Sequence, residues 1–192
     1  MAEVTELIVE SIVRLDDTLE LRFQTYSLGK MRLGGTRIFR HSEKYSGPTK
    51  SGIDMNLAQL SELGPLLVAL LAQVETGEVV PPLEFARFPA GRGAEWIIQL
   101  LEEAPGTDDF LLDVRKYVTG EKYTGFTRKG LRIDFEWIDT IIKNMVLVRG
   151  SLEAWGKGQS GLFSPAVSTA PSTAPEQPKL TDAVPDEYRE FF

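Results

Sequence analysis

The strongest constraint on the fold is a stretch that occurs twice. Residues 122–134 (KYTGFTRKGLRID) repeat residues 44–56 (KYSGPTKSGIDMN) at an offset of 78. Lys44/Lys122, Tyr45/Tyr123, Gly47/Gly125, Thr49/Thr127 and Gly52/Gly130 are identical without a gap. Ser46/Thr124, Lys50/Arg128, Ile53/Leu131, Met55/Ile133 and Asn56/Asp134 are close replacements. Each copy runs straight into apolar residues at helical spacing, Leu57, Leu60, Leu63, Leu67 and Leu70 after the first, Phe135, Ile138, Ile141, Ile142 and Met145 after the second. Self-similarity at a fixed offset is the signature of a duplicated supersecondary unit, so the fold must accommodate the same element twice.

Strand patterns precede each copy. Residues 4–14 mix β-branched and charged side chains. Residues 18–26 alternate strictly, with Leu19, Leu21 and Phe23 on one face and Glu20, Arg22 and Gln24 on the other. Residues 36–40 and a short 52–55 complete the first set, with residues 44–51 as a loop. Residues 83–88, 95–101 and 110–117 open the second set after a linker at 79–82. The expectation is an α+β fold of two ββββα repeats, residues 1–78 and 79–150. Each is a curved antiparallel sheet with one helix, and the helices pack together in a pseudo-dimer, because a unit this small cannot cover its own apolar helix face. Asn56 and Asp134 are placed to cap the helices. Gly64 and Pro65 are expected to kink or divide the first helix, and Gly150 to end the second. Residues 151–192 read as a flexible tail rich in Pro, Ser, Thr and Ala, ending in acidic and aromatic residues.

The chain of 192 residues has no Cys and one His, His41. That removes disulfides, thiolate metal sites and cysteine nucleophiles, and makes a histidine-based hydrolase or metal centre a poor reading. Paired acids such as Glu102 and Glu103 fall at turn signals without a nucleophile–base arrangement, so neither catalysis nor a cofactor or metal is expected. No signal-peptide pattern and no run of 18 apolar residues is present, which sets the expectation of an intracellular, cytoplasmic or nucleoid-associated protein with no membrane role.

The net charge is −7, yet the bases are clustered. Residues 29–52 carry Lys30, Arg32, Arg37, Arg40, Lys44 and Lys50 against Glu43 alone, and residues 115–132 carry Arg115, Lys116, Lys122, Arg128, Lys129 and Arg132 against Glu121 alone. Because charges beyond about 8 Å are screened at physiological salt, the local field decides binding. Phe39, Tyr45, Tyr117, Tyr123 and Phe126 accompany these bases and offer stacking surfaces, while Thr49 and Thr127 offer phosphate contacts. Arg37 and Phe39 match Arg115 and Tyr117 at the same offset. The repeated glycines read as turn glycines, Trp96 and Trp137 as packing residues, and Tyr45 and Tyr123 either as stacking residues or as packing on the sheet edge.

Residues 111–117 (LLDVRKY), the glycine-rich basic stretch through Asp134 and the helix bearing Trp137 resemble the DNA-binding domain of the transcriptional positive cofactor four family. Residues 83–149 fit the pattern well and residues 4–75 more loosely, with Gly35 in place of Asp113 and Ser51 in place of Lys129. The Whirly and PUR families share the general architecture. The resemblance implies single-stranded DNA binding by two units joined through their helices. The leading reading is therefore a sequence-tolerant single-stranded DNA-binding protein acting in replication or repair, with an RNA-binding or transcription-regulating protein, or a protein-interaction scaffold, as alternatives. It would work as a monomeric pseudo-dimer or a homodimer. The tail residues Asp186, Glu187, Tyr188, Phe191 and Phe192 resemble in style the acidic, aromatic-ending tails of such proteins, which recruit partners or occupy the empty groove.

Overall fold

A computed structural model describes residues 4–104, 106–107 and 109–158. The tail residues 159–192, including Asp186, Glu187, Tyr188, Phe191 and Phe192, lie outside the described residues. The fold is α+β. Four strands, β1 (Val4–Arg14), β2 (Leu19–Leu28), β3 (Met31–Ser42) and β4 (Tyr45–Met55), lead into α1 (Leu57–Glu75). Four more, β5 (Leu83–Gly91), β6 (Ala94–Glu102), β7 (Phe110–Thr119) and β8 (Thr124–Asp134), lead through a 3₁₀ turn at Phe135–Trp137 into α2 (Ile138–Gly158).

Instead of two separate four-stranded sheets, the strands form one antiparallel eight-stranded sheet in the order β1-β2-β3-β4-β8-β7-β6-β5. The junction is a single registered pair, Gly52 against Gly130. Glycine is required on both sides, since a Cβ on Gly52 would sit 2.6 Å from the Thr36 carbonyl oxygen and one on Gly130 would sit 2.7 Å from that of Val114. The two hairpins flanking the junction share one register. Thr36 opposite Ile53, Arg37 opposite Gly52, Phe39 opposite Pro48 and Arg40 opposite Gly47 recur 78 positions later as Val114–Leu131, Arg115–Gly130, Tyr117–Phe126 and Val118–Gly125. Both contain the same bulge, in which Thr49–Ser51 and Thr127–Lys129 stand opposite Ile38 and Lys116 alone. The residues expected as a loop, 44–51, thus belong mostly to β4.

Both helices lie on one face of the sheet and pack against each other. Leu21, Phe23, Ile53, Met55, Trp96, Ile98, Leu100, Leu112, Val114, Leu131 and Ile133 form the sheet side of the core, and Leu60, Leu63, Leu67, Ile138, Ile141, Met145 and Val148 the helix side. The helices are exchanged: α2 contacts β1, β2 and β3, and α1 contacts β5 as well as β3 and β4. Gly34 permits this, because a Cβ there would lie 2.4 Å from Val148 Cγ1 on α2.

Asn56 caps α1 in a reciprocal box, its side chain accepting from Gln59 N–H (3.0 Å) while the Gln59 side chain accepts from Asn56 N–H (3.1 Å). Asp134 makes no such bond and precedes the 3₁₀ turn rather than α2. α1 is not divided at Pro65, because Leu63, Leu67, Val68 and Leu70 are buried on both sides of it and hold the two turns together. α2 continues through Gly150, carrying buried Leu152 over the first half of the sheet. By length and mean hydropathy, 1.5, α1 is apolar enough to cross a membrane. Leu66, Leu71 and Val74 on it pack partly against the buried leucines, as in a core helix.

Candidate nucleic-acid interface

The helix-free face is organised by one register line that crosses all eight strands. Ile12, Arg22, Arg37, Gly52, Gly130, Arg115, Ile97 and Arg87 stand opposite one another in succession. Residues directly opposite in an antiparallel sheet project from the same face, so the four arginines share the side away from the helices. At about 4.8 Å per strand the line is roughly 34 Å long. Its centre has no side chains, only the backbone of Gly52 and Gly130. Ile97 on this line is fully buried yet lies outside the helix-side cluster.

Each central arginine is held by an acid. Arg37 Nη2 donates to Asp54 Oδ2 at 2.5 Å. Arg115 and Arg132 converge on the buried Asp113, at 3.2 and 2.9 Å. The acids occupy different places in the two halves, Asp54 on β4 and Asp113 on β7, yet fix a guanidinium beside the glycine pair in both. Tyr26 lies near the first of these pairs; burial, with the Asp54 carboxylate beside it, pushes its phenol up.

The aromatic residues differ between halves. Tyr117 and Phe126 meet edge to face, ring centroids 5.2 Å apart, with the Arg115 guanidinium 5.8 Å from the Phe126 centroid and that of Arg87 5.7 Å from Tyr117. Phe126 is 37% exposed. Its counterpart in the first half is Pro48, and the ring of Phe39 is covered by the Arg22 guanidinium at 3.8 Å. Glu20 holds Arg22 at 2.5 Å and faces His41 Nε2 at 3.1 Å. Burial works to raise the Glu20 carboxyl, but the hydrogen bond from Arg22, with the His41 ring close by, outweighs it and leaves it below the usual range.

A cleft of about 390 Å³ opens at the junction, lined by Ser51 from β4 and by Arg115, Phe126, Thr127, Arg128, Gly130 and Arg132. The bulges set Lys50, Arg128 and Lys129, all exposed, beside the glycine pair. The threonine hydroxyls at the bulges are engaged locally: Thr49 donates to the Ile38 carbonyl (2.9 Å) and Thr127 accepts from Lys129 N–H (3.2 Å). Another cleft, lined by Glu103, Asp109, Phe110, Asp134, Phe135 and Glu136, is acidic and unsuited to a phosphodiester. Among the described residues no acid or histidine group could hold a metal ion.

The sequence-derived candidates separate into three sets. Arg37, Phe39, Arg115, Tyr117, Phe126 and Arg132, with the bulge residues Thr49, Lys50, Thr127, Arg128 and Lys129, gather around the junction. Lys44, Tyr45, Lys122 and Tyr123 lie at the hairpin turns, roughly 16 Å along the strands from the glycine pair. There the tyrosines lock the turns, Tyr45 donating to the Pro48 carbonyl (2.5 Å) and Tyr123 to that of Phe126 (2.6 Å). The third set stands apart. Arg32 faces α2, where it donates to the Trp155 carbonyl at 2.6 Å and stacks on that indole, so it docks a helix instead of facing the cleft. Lys30 sits in the β2–β3 turn at the other end of β3, and Arg40 alternates onto the side of Ile38. Arg22, Arg87, Asp54 and Asp113 are the residues that the sequence reading missed. Arg22 was legible as part of the polar face of an alternating strand, whereas Arg87 joins the line only through the strand order. No protein-family model and no curated protein matches this chain.

Proposed function

We propose that the protein binds single-stranded DNA, without strong sequence preference, on the helix-free face of the sheet. The observation that carries this reading is the register line that flanks a side-chain-free floor, Gly52 and Gly130, with Arg37 and Arg115, next to the partly open Tyr117–Phe126 pair. Guanidinium groups held by acids are oriented for phosphates without further ordering, and exposed rings stack on unpaired bases of any kind. Duplex DNA hides its base faces and gains little from such a surface.

The reading includes the finer architecture. The chain is a tandem of two ββββα units related by a pseudo-two-fold axis through Gly52 and Gly130, of the type seen in the transcriptional positive cofactor four family. The shared hairpin register at an offset of 78 supports it, and the strand order, β1 to β4 followed by β8 to β5, is what such an axis generates. The second half is the stronger site, because Arg22 covers Phe39 in the first. The C-terminal residues Asp186–Phe192 serve as a partner-recruiting segment that competes for the same face.

Fluorescence anisotropy with oligo-dT, the matching duplex and RNA of equal length, at two salt concentrations, tests the reading. Oligo-dT is expected to bind far more tightly than duplex, with a log–log salt slope of about −0.7 per phosphate neutralised. Equal affinity for duplex, or indifference to salt, overturns it. Joint replacement of Arg115, Tyr117, Arg128 and Lys129 by alanine is expected to remove most binding while the circular-dichroism melt persists. Deleting residues 180–192 leaves affinity equal or higher.

A further inference from the structure

We infer that β1 is the docking edge for a second copy of this chain, and that two copies join their sheets by antiparallel β1–β1 pairing into a closed two-fold dimer. Among the described residues β1 ends the sheet and pairs only with β2, which leaves the backbone donors and acceptors of its outer side open over an eleven-residue strand. Leu7, Ile8, Val9 and Ile12 are 55%, 40%, 42% and 54% exposed, a concentration of large apolar side chains that a solvated edge strand avoids.

The register within β1 specifies the occupant. A bulge at Glu10 separates Val9 opposite Gln24 from Ser11 opposite Phe23, and the Glu10 carboxylate accepts from the Thr25 hydroxyl at 2.8 Å, turned back toward its own sheet. The bulge shifts the alternation, so that Leu7, Val9 and Ile12 share the helix-free face while Ile8 and Val13 share the other. A two-fold axis between Glu10 and Ser11 then keeps every residue on its own face. It sets Ile12 opposite Val9 and Val13 opposite Ile8 of the second copy, each pair occurring twice, and Ser11 opposite Glu10, with no like charges facing each other.

The far edge explains why assembly stops at two. β5 carries Pro89, which has no N–H to donate, two register shifts, and an ion cluster of Arg87 with Glu84 and Glu95. One open and one blunted edge give a closed pair, not a filament.

Sedimentation equilibrium of the full chain is expected to return twice the chain mass of 21.4 kDa. Ile8→Lys with Ile12→Lys is expected to return the single-chain mass while keeping a cooperative melting transition, lowered only by the loss of association, since both side chains are exposed. Because the chain has no Cys, Val9→Cys with Ile12→Cys provides a second measurement that does not depend on the lysine variant folding. On oxidation it should give a covalent dimer on a non-reducing gel, whereas Glu84→Cys on β5 should not. A native chain that stays monomeric, a dimer indifferent to the lysines, cross-linking through Glu84→Cys instead, or open-ended growth each overturns the proposal.

Discussion

Arg22 shows how one side chain can distinguish two similar halves. Its guanidinium lies 3.8 Å over Phe39, whereas Tyr117, the counterpart of Phe39, has Arg87 at 5.7 Å and the exposed Phe126 beside it. Tyr117→Ala is therefore expected to cost about 1–3 kcal/mol of oligo-dT affinity, the value of a stacked base, and Phe39→Ala clearly less, as read by anisotropy. Arg22→Ala uncovers Phe39, and binding should tighten or gain a second equivalent; a weaker complex would identify Arg22 as a phosphate ligand instead of a cover. Glu20 makes the cover pH-sensitive. Its folded pKa is depressed, so the stability it adds is fully present above the ordinary glutamate value of about 4.3 and is lost as pH falls through the lower folded value. Urea melts should show Glu20→Gln less stable than the native chain at neutral pH, with the gap closing on acidification.

At the level of elements, the critical joint is β4 against β8. It consists of one registered pair of glycines whose absent Cβ atoms would have met the carbonyls of Thr36 and Val114. Gly52→Val or Gly130→Val must force the hairpins apart and is expected to lower stability by about 1–3 kcal/mol, the usual range for overpacking, measured by urea unfolding. Both substitutions should also weaken DNA binding, because they put a side chain on the floor between Arg37 and Arg115. The Asn56 box at the start of α1 is a separate matter. Asn56→Ala removes the bond to Gln59 N–H and is expected to cost about 0.5–2 kcal/mol without touching DNA affinity.

For the molecule as a whole, the exchange of helices governs how it can be divided. β2 and β3 are roofed by α2, from the other end of the chain, with Gly34 under Val148 and Arg32 bound to the Trp155 carbonyl. Residues 1–78 expressed alone therefore leave Leu21, Phe23 and Met55 without part of their cover. The fragment should show poor amide dispersion by NMR, or self-associate to replace α2; a well-dispersed monomer would make the exchange dispensable.

Much of this was legible in the sequence. The offset of 78, strand alternation and apolar helix spacing announced the α+β class, eight strands and two helices, because side-chain periodicity reports which face of an element is buried. The same alternation put Arg37, Arg115 and Tyr117 on one side of their strands, whereas Phe126 and Lys129 stood out through the clustering of bases and aromatics in the repeated stretch. Other features depend on which strands become neighbours, and no local pattern encodes that. The joining of two expected sheets through Gly52 and Gly130, the alignment of Arg22 and Arg87 with the central arginines, and the diversion of Arg32 to α2 all belong to this class. Arg32 and Arg37 look alike in the chain, and alternation puts them on opposite faces, but only packing shows that one of those faces is taken by a helix. The sequence by itself determined the elements and their polarity; the tertiary structure decided which charges share a surface, because that follows from long-range strand pairing and from where the helices find room.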